Sequence, residues 1–217
     1  MSEYYQQTRH EVMDFIPSRA HNILEIGCGA GVFLAQVQNT GEKWGVEPSH
    51  EAFHKAKKVT PNVLNGTFDQ VEDQIPDHHF DLVICNDVIE HMVNHDQFFE
   101  QIKKKLAPNG QIAGSIPNVR YLPNLIELIF KADWRYRDAG ILDRTHLRFF
   151  TFNSLKRTFN EHNYRVESLN GINSLMSFTG TPKNLVKVFV LAFLLIVSFG
   201  KLRDTFYMQF GFRIQKI

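Results

Sequence analysis

Asp87, Glu90 and His91 stand at i, i+3 and i+4, the spacing that puts three side chains on one side of a helix. Two carboxylates and an imidazole converging there, joined by His146 from a later stretch, would form an octahedral site for a hard divalent cation such as Mg2+ that also holds an acceptor's hydroxyls. Without a metal, His91 and His146 are still candidate catalytic bases, because imidazole titrates in the range where a general base works. Glu25 is a different kind of signal. It interrupts the apolar run Ile23-Leu24-Glu25-Ile26, and a carboxylate is costly to bury unless a cation or hydrogen-bond donors meet it, so its expected partner is a cationic ligand. Glu47 ends the run Lys43-Trp44-Gly45-Val46. An acid roughly 20 residues past a glycine loop is placed to accept hydrogen bonds from a ribose diol.

These groups need elements to position them. Gly27, Gly29 and Gly31 alternate with Cys28 and Ala30 between an apolar run and an apolar-periodic segment, which reads as strand, tight loop and helix. Residues without a Cβ let a nucleotide-sized group lie against the main chain. Val32 occupies the position that a glycine fills in the dinucleotide pattern G-x-G-x-x-G, which disfavours a nicotinamide cofactor. Further strands are expected at 43–47, 62–65, 80–85, 111–116, 164–169 and 207–214, with helices at 50–59, 97–106 and 153–160. Strand 80–85 is almost continuously apolar, as a central parallel strand should be. It runs into Asn86 and Asp87, which by the rule for open α/β sheets face the same crevice as the glycine loop.

The stretch from Glu25 to Gly31 resembles the first motif of class I S-adenosylmethionine-dependent methyltransferases. The resemblance implies a Rossmann-like α/β fold with a seven-stranded, mostly parallel sheet and helices on both faces. It also implies that S-adenosylmethionine lies against Gly27, Cys28, Gly29 and Gly31, with Glu25 at its ammonium end, Glu47 at its ribose, and Asn86 and Asp87 lining the same cofactor site. The family often carries an acid after the glycine of the third turn, for the adenine; here Thr67 follows Gly66, so that contact falls to Thr67, Phe68 or Asp69. Ile116-Pro117-Asn118 closes the fifth strand as in the ubiquinone-pathway O-methyltransferases, and Thr145-His146-Leu147-Arg148-Phe149-Phe150-Thr151 resembles a segment of bacterial methyltransferases associated with glycan biosynthesis. An acid-x-x-Glu-His arrangement holds metal in the ubiquinone-pathway enzymes and in plant small-RNA 2′-O-methyltransferases, with Asp87 here where those carry Glu.

One domain over 1–217 is expected, with an N-terminal lid helix in 1–20, an acceptor-pocket insertion at 119–150 after strand five, and an apolar C-terminal helical segment at 182–205. The uninterrupted apolar part of that last segment is too short for the ~20 residues of a spanning helix. It suits burial, a homodimer contact or peripheral membrane contact. The arginines of the insertion and just after it, Arg120, Arg135, Arg137, Arg144 and Arg148, either meet an acidic group of the acceptor or pair with Asp133, Asp138 and Asp143 on a solvated face. A formal net charge of +1 gives nucleic acid no support as a partner. Two cysteines do not make a disulfide framework, and the polar N-terminal stretch lacks a signal-peptide core, so a cytoplasmic protein, with membrane association left open, is expected. The expected activity is O-methylation of a small metabolite or glycan-type acceptor. A metal-assisted RNA 2′-O-methyltransferase, an NAD-dependent oxidoreductase and an inactive cofactor-binding or membrane-attached scaffold stay open as alternatives.

Overall fold

The computed structural model describes residues 9–175 and 195–217. Seven strands form one sheet in the order β3-β2-β1-β4-β5-β7-β6. They are β1 (Ile23–Ile26), β2 (Lys43–Glu47), β3 (Asn62–Asn65), β4 (Phe80–Asn86), β5 (Leu106–Pro117), β6 (Tyr164–Ser174) and β7 (Tyr207–Lys216). β7 runs antiparallel to both of its neighbours; the pairings from β3 through β5 are parallel. The helices are α1 (His10–Met13), α2 (Val32–Gln36), α3 (His50–Ala56), α4 (Phe68–Val71), α5 (His95–Lys105), α6 (Leu122–Lys131) and α7 (Phe152–Glu161).

The alternation of strand side chains divides the core between two faces. Val83 and Cys85 of β4 join Phe98, Phe99, Leu155, Phe159, Phe210 and Phe212 on the face covered by α5 and α7. Leu82 and Ile84 join Val12, Phe15, Phe33 and Leu34 on the face covered by α1 and α2. Burial on both sides explains the unbroken apolar run of β4.

Four details depart from the sequence expectations. α3 stops three residues early, at Ala56. β5 begins at Leu106 and bulges, so that Leu106 pairs with Phe80 while Gln111 pairs with Leu82, the intervening residues looping out around Asn109 at φ 65°. β6 continues past Leu169 to Ser174; Gly171 is required in that extension, since a Cβ there would meet the Tyr207 ring at 2.1 Å. The insertion contains a helix, α6, opened by Pro123, and none of its residues is fully buried. Residues 1–8 of the expected lid segment and residues 176–194 of the C-terminal stretch lie outside the described residues.

Candidate active site

The ends of β1, β2 and β4 build the first half of the site. Gly27, Gly29 and Gly31 all have positive φ, at 69°, 55° and 79°, as a tight strand-to-helix loop requires. The loop turns its N–H groups inward. Gly27 and Cys28 donate to the Val46 carbonyl at 2.8 and 3.1 Å, Gly31 donates to the Cys28 carbonyl at 2.8 Å, and Gly29 donates to Glu47 Oε2 at 2.8 Å. A loop whose N–H groups are already engaged is poorly equipped to cradle a pyrophosphate. What it leaves available is acceptor capacity. Glu25 is 2% exposed, and its Oε2 has no hydrogen-bond partner among the described residues. Burial pushes its carboxyl up to about 8, against some relief from the Arg9 guanidinium. Beside it the buried Asn86 amide is close enough to lower the Glu25 carboxyl slightly, yet neither its oxygen nor its nitrogen meets a partner in good hydrogen-bond geometry among the described residues. Orphaned polar atoms at a strand end call for a ligand with an ammonium group.

Glu47 Oε1 also accepts from the Ser49 N–H at 2.8 Å, so the carboxylate is fixed by both flanking loops and keeps lone pairs for a diol. Its carboxyl is raised by burial, partly offset by these backbone hydrogen bonds. At two of the expected cofactor contacts only the backbone is left to face a ligand. The Cys28 side chain is buried with Ala56 and Val63 against Gly45, where a Cβ would come within 2.7 Å of its Sγ, so only the Cys28 backbone can face a ligand. Phe68 is core, its ring 5.1 Å from that of Phe98, whereas Thr67 is exposed and its N–H donates to Gln70 Oε1 at 2.9 Å.

The second half of the site follows β4. The segment after Asn86 does not start an α-helix: Asp87 is left-handed at φ 51°, and Ile89–His91 make a single 3₁₀ turn. The i, i+3, i+4 geometry is therefore lost, and Asp87 parts from Glu90 and His91. Its Oδ2 accepts from Arg9 Nη1 at 2.6 Å, its Oδ1 accepts from Ser115 Oγ at 2.8 Å, and Gln209 Nε2 lies 2.8 and 2.6 Å from the two oxygens. A carboxylate surrounded by three donors has little capacity left for a metal, which corrects the expectation that Asp87 is a ligand. Arg9, Ser115 and Gln209 are site residues that sequence reasoning missed; Ser115 and Gln209 are polar residues at buried positions of β5 and β7, but both strands carry other polar residues, so the pattern did not single them out.

Glu90, His91 and His146 do come together, with ligand atoms within 4.8 Å of one another. The imidazole rings of His91 and His146 meet edge to face at 4.7 Å. His146 Nδ1 lies 2.9 Å from the Ile141 carbonyl and His91 Nδ1 lies 3.2 Å from the Thr145 carbonyl. A carbonyl only accepts, so each Nδ1 donates, and in the neutral form of either ring the lone pair is on Nε2. His146 Nε2 is 3.9 Å from Glu90 Oε1, and both Glu90 oxygens are buried without a hydrogen-bond partner among the described residues. Burial, and then the nearby Asp87 charge, hold the Glu90 carboxyl well above the usual range; burial and His146 lower His91. The Leu147 and Arg148 N–H groups donate to the Glu90 carbonyl at 2.8 and 3.1 Å, which ties the loop bearing His146 to the end of β4.

A profile of the methyltransferase domain family matches residues 1–169, more than three-quarters of the chain. The chain belongs to this methyltransferase family. The fold is similar to that of a crystallised SAM-dependent methyltransferase from Archaeoglobus fulgidus, to which this methyltransferase domain is 19% identical with a TM-score of 0.65, covering 99% of this chain and 97% of that one. Mitochondrial ubiquinone biosynthesis O-methyltransferases are similar in sequence, at 25% identity over 72% of the chain in Dictyostelium discoideum and 27% over 69% in Schizosaccharomyces pombe. The chain spans 54% and 57% of the length of those relatives. Membership implies S-adenosylmethionine as the cofactor, and the unpaired Glu25 and Asn86 atoms fit its ammonium end. It sets the oxidoreductase alternative aside. Among the described residues, no helix is long and apolar enough to cross a membrane.

Proposed function

We propose that this protein transfers the methyl group of S-adenosylmethionine to a hydroxyl oxygen of a small metabolite or glycan-type acceptor. The observation that carries the reading is the placement of His146, whose Nδ1 lies 2.9 Å from the Ile141 carbonyl and whose Nε2 lies 3.9 Å from Glu90 Oε1, so that in the neutral ring the lone pair is on Nε2. Methyl transfer from a sulfonium needs an in-line approach and removal of the acceptor's proton. Glu25, Glu47 and Asn86 would hold the cofactor, and His146, with His91 behind it, would take the proton. The ubiquinone-pathway relatives are named as O-methyltransferases, which supports this choice of atom. The test is release of S-adenosylhomocysteine from S-adenosylmethionine with a panel of phenolic, catechol and sugar hydroxyl acceptors. Turnover on any of them that vanishes in His146→Ala supports the reading, and unchanged turnover in that variant removes it.

A metal-assisted form of the same reaction is favoured by one observation, the His-His-Glu grouping of His91, His146 and Glu90. These residues would hold a divalent cation, which when bound would draw a hydroxyl toward its ionised form. Two imidazoles and one carboxylate suit zinc, manganese or iron better than magnesium. RNA is a weak candidate acceptor at a net charge of +1. The apolar segment 182–205 we take as a homodimer or peripheral membrane contact of a cytoplasmic protein, since its described end leaves Ile196, Val197 and Phe199 exposed.

A further inference from the structure

A second concavity lies on the α7 face of the sheet, the side opposite the N-terminal segment. Along β7 the alternate residues Gln209 and Gly211 face Asp87 and Phe15, while Phe210 points the other way and meets the Phe152 ring at 5.7 Å. There a cavity of about 680 Å³ opens between Phe152 and Asn153 at the start of α7, Phe210, and the cations Arg120, Lys201 and Arg203.

Its charge is uneven. The one acid on the lining, Asp204, is taken by Arg120, with Nη1 donating to Oδ2 at 2.9 Å and Nη2 to the Lys201 carbonyl at 3.4 Å. No ion pair or side-chain hydrogen bond engages the Lys201 ammonium or the Arg203 guanidinium among the described residues. The wall is also built rather than incidental. Asn118 is fully buried, donates from Nδ2 to the carbonyls of Asp204 and Tyr207 at 2.8 and 2.9 Å, and accepts at Oδ1 from the Arg120 N–H at 3.0 Å. One amide thus fastens the cationic loop to the end of β5, beside the strand whose end leads into Asp87 and Glu90.

Lys201 and Arg203, without counter-charges among the described residues, stand beside the rings of Phe152, Tyr207 and Phe210 and match an anion attached to a ring or chain. The path from His146 to Phe152 is six residues, at most about 20 Å even if fully extended. That separation is within the span of a single elongated acceptor. We propose that this cavity holds the phosphate or diphosphate group of the acceptor whose hydroxyl is methylated at His146. The proposal rests on the methyl-transfer reading and deepens it by naming the substrate class. The phosphate could be borne by a lipid, whose chain would lie along the exposed Ile196, Val197 and Phe199, or by a water-soluble sugar.

The test is calorimetric titration of the intact protein with inorganic pyrophosphate, alongside titration with S-adenosylhomocysteine, for the wild type and for Lys201→Ala/Arg203→Ala. The expected result is saturable pyrophosphate binding, at least tenfold weaker in the double variant, with S-adenosylhomocysteine affinity unchanged. No pyrophosphate binding by the wild type, or equal binding by the variant, overturns the proposal. A wild type that binds pyrophosphate but not S-adenosylhomocysteine fails the methyl-transfer reading instead, and the acceptor assignment with it. Co-sedimentation with phosphatidylglycerol vesicles, absent with phosphatidylcholine and lost in the double variant, assigns the phosphate to a lipid. Pyrophosphate binding without vesicle binding assigns it to a soluble acceptor, and vesicle binding that survives in the variant counts against the cavity.

Discussion

Cofactor affinity should rise steeply between pH 6 and pH 8, because Glu25 must ionise to hold an ammonium group. In the ligand-free protein burial raises its carboxyl from 4.5 to about 8. The ligand is a free α-amino acid, whose ammonium beside its own carboxylate holds its proton to higher pH than a polypeptide N-terminus and so stays protonated from pH 6 to pH 8. The productive pairing therefore scales with the ionised fraction of Glu25, about 0.01 at pH 6 and about 0.5 at pH 8. The ratio is about 50-fold, or about 2.3 kcal/mol. The same shift has a stability consequence of opposite sense. A carboxyl whose folded value lies above its unfolded value binds its proton more tightly when folded. Its contribution is complete below about pH 4.5 and is lost, at about 1.4 kcal/mol per pH unit, as the pH rises toward 8. Calorimetric titration with S-adenosylhomocysteine from pH 6 to 9, with thermal melts of the free protein over the same range, reads both effects. Glu25→Gln should bind weakly without the acid limb and melt higher than wild type at pH 8. A wild-type affinity that is flat between pH 6 and 8, or a variant that keeps the acid limb, would refute the reasoning.

Other outcomes follow from the same geometry. His146→Ala should lower turnover by about 10²–10⁴-fold, measured as S-adenosylhomocysteine release, while leaving S-adenosylhomocysteine affinity within twofold. Glu90→Gln should abolish any rise in melting temperature that manganese or zinc gives the wild type and that a chelator reverses, because it removes the one carboxylate of the His-His-Glu group. Asn118→Ala removes hydrogen bonds to Asp204, Tyr207 and Arg120 from a fully buried position and should cost about 2–3 kcal/mol in denaturant unfolding. Gly27→Ala puts a Cβ 2.8 Å from Val88 at a φ of 69°, and should weaken S-adenosylhomocysteine binding more than it lowers the melting temperature.

The sheet was legible where burial dictates residue type. β1 to β4 are legible from their apolar residues, with β2 and β3 correct to the residue; β1 and β4 are buried on both faces, which leaves little freedom of composition, whereas the edge strand β3 buries only Val63 and is marked by Val63-Leu64 between two asparagines. β6 reads as ending at Leu169 because Asn170 and Gly171 look like a turn; the glycine is there to clear the Tyr207 ring of β7, a contact between residues far apart in the chain. The glycine loop and the two acids Glu25 and Glu47 were legible for the same reason that they function, as polar or bare residues where an apolar one would be cheaper to bury.

The neighbourhood of Asp87 was not. Its spacing to Glu90 and His91 suggests one shared face only if the backbone is helical, and nothing in Asn86-Asp87-Val88 announces the left-handed turn that redirects it. The guanidinium that it meets comes from Arg9, 78 positions earlier. His146, by contrast, was named correctly as a neighbour of His91, although their 4.7 Å ring contact depends on a loop folded back on the Glu90 carbonyl.

The central claim is that the crevice at Glu25, Asn86 and Glu47 binds S-adenosylmethionine for a reaction at His146. The most direct measurement is calorimetric titration of the wild type with S-adenosylhomocysteine at pH 8, once with manganese and once with chelator. The account predicts saturable binding at a single site in both conditions. Absence of binding in both would contradict it.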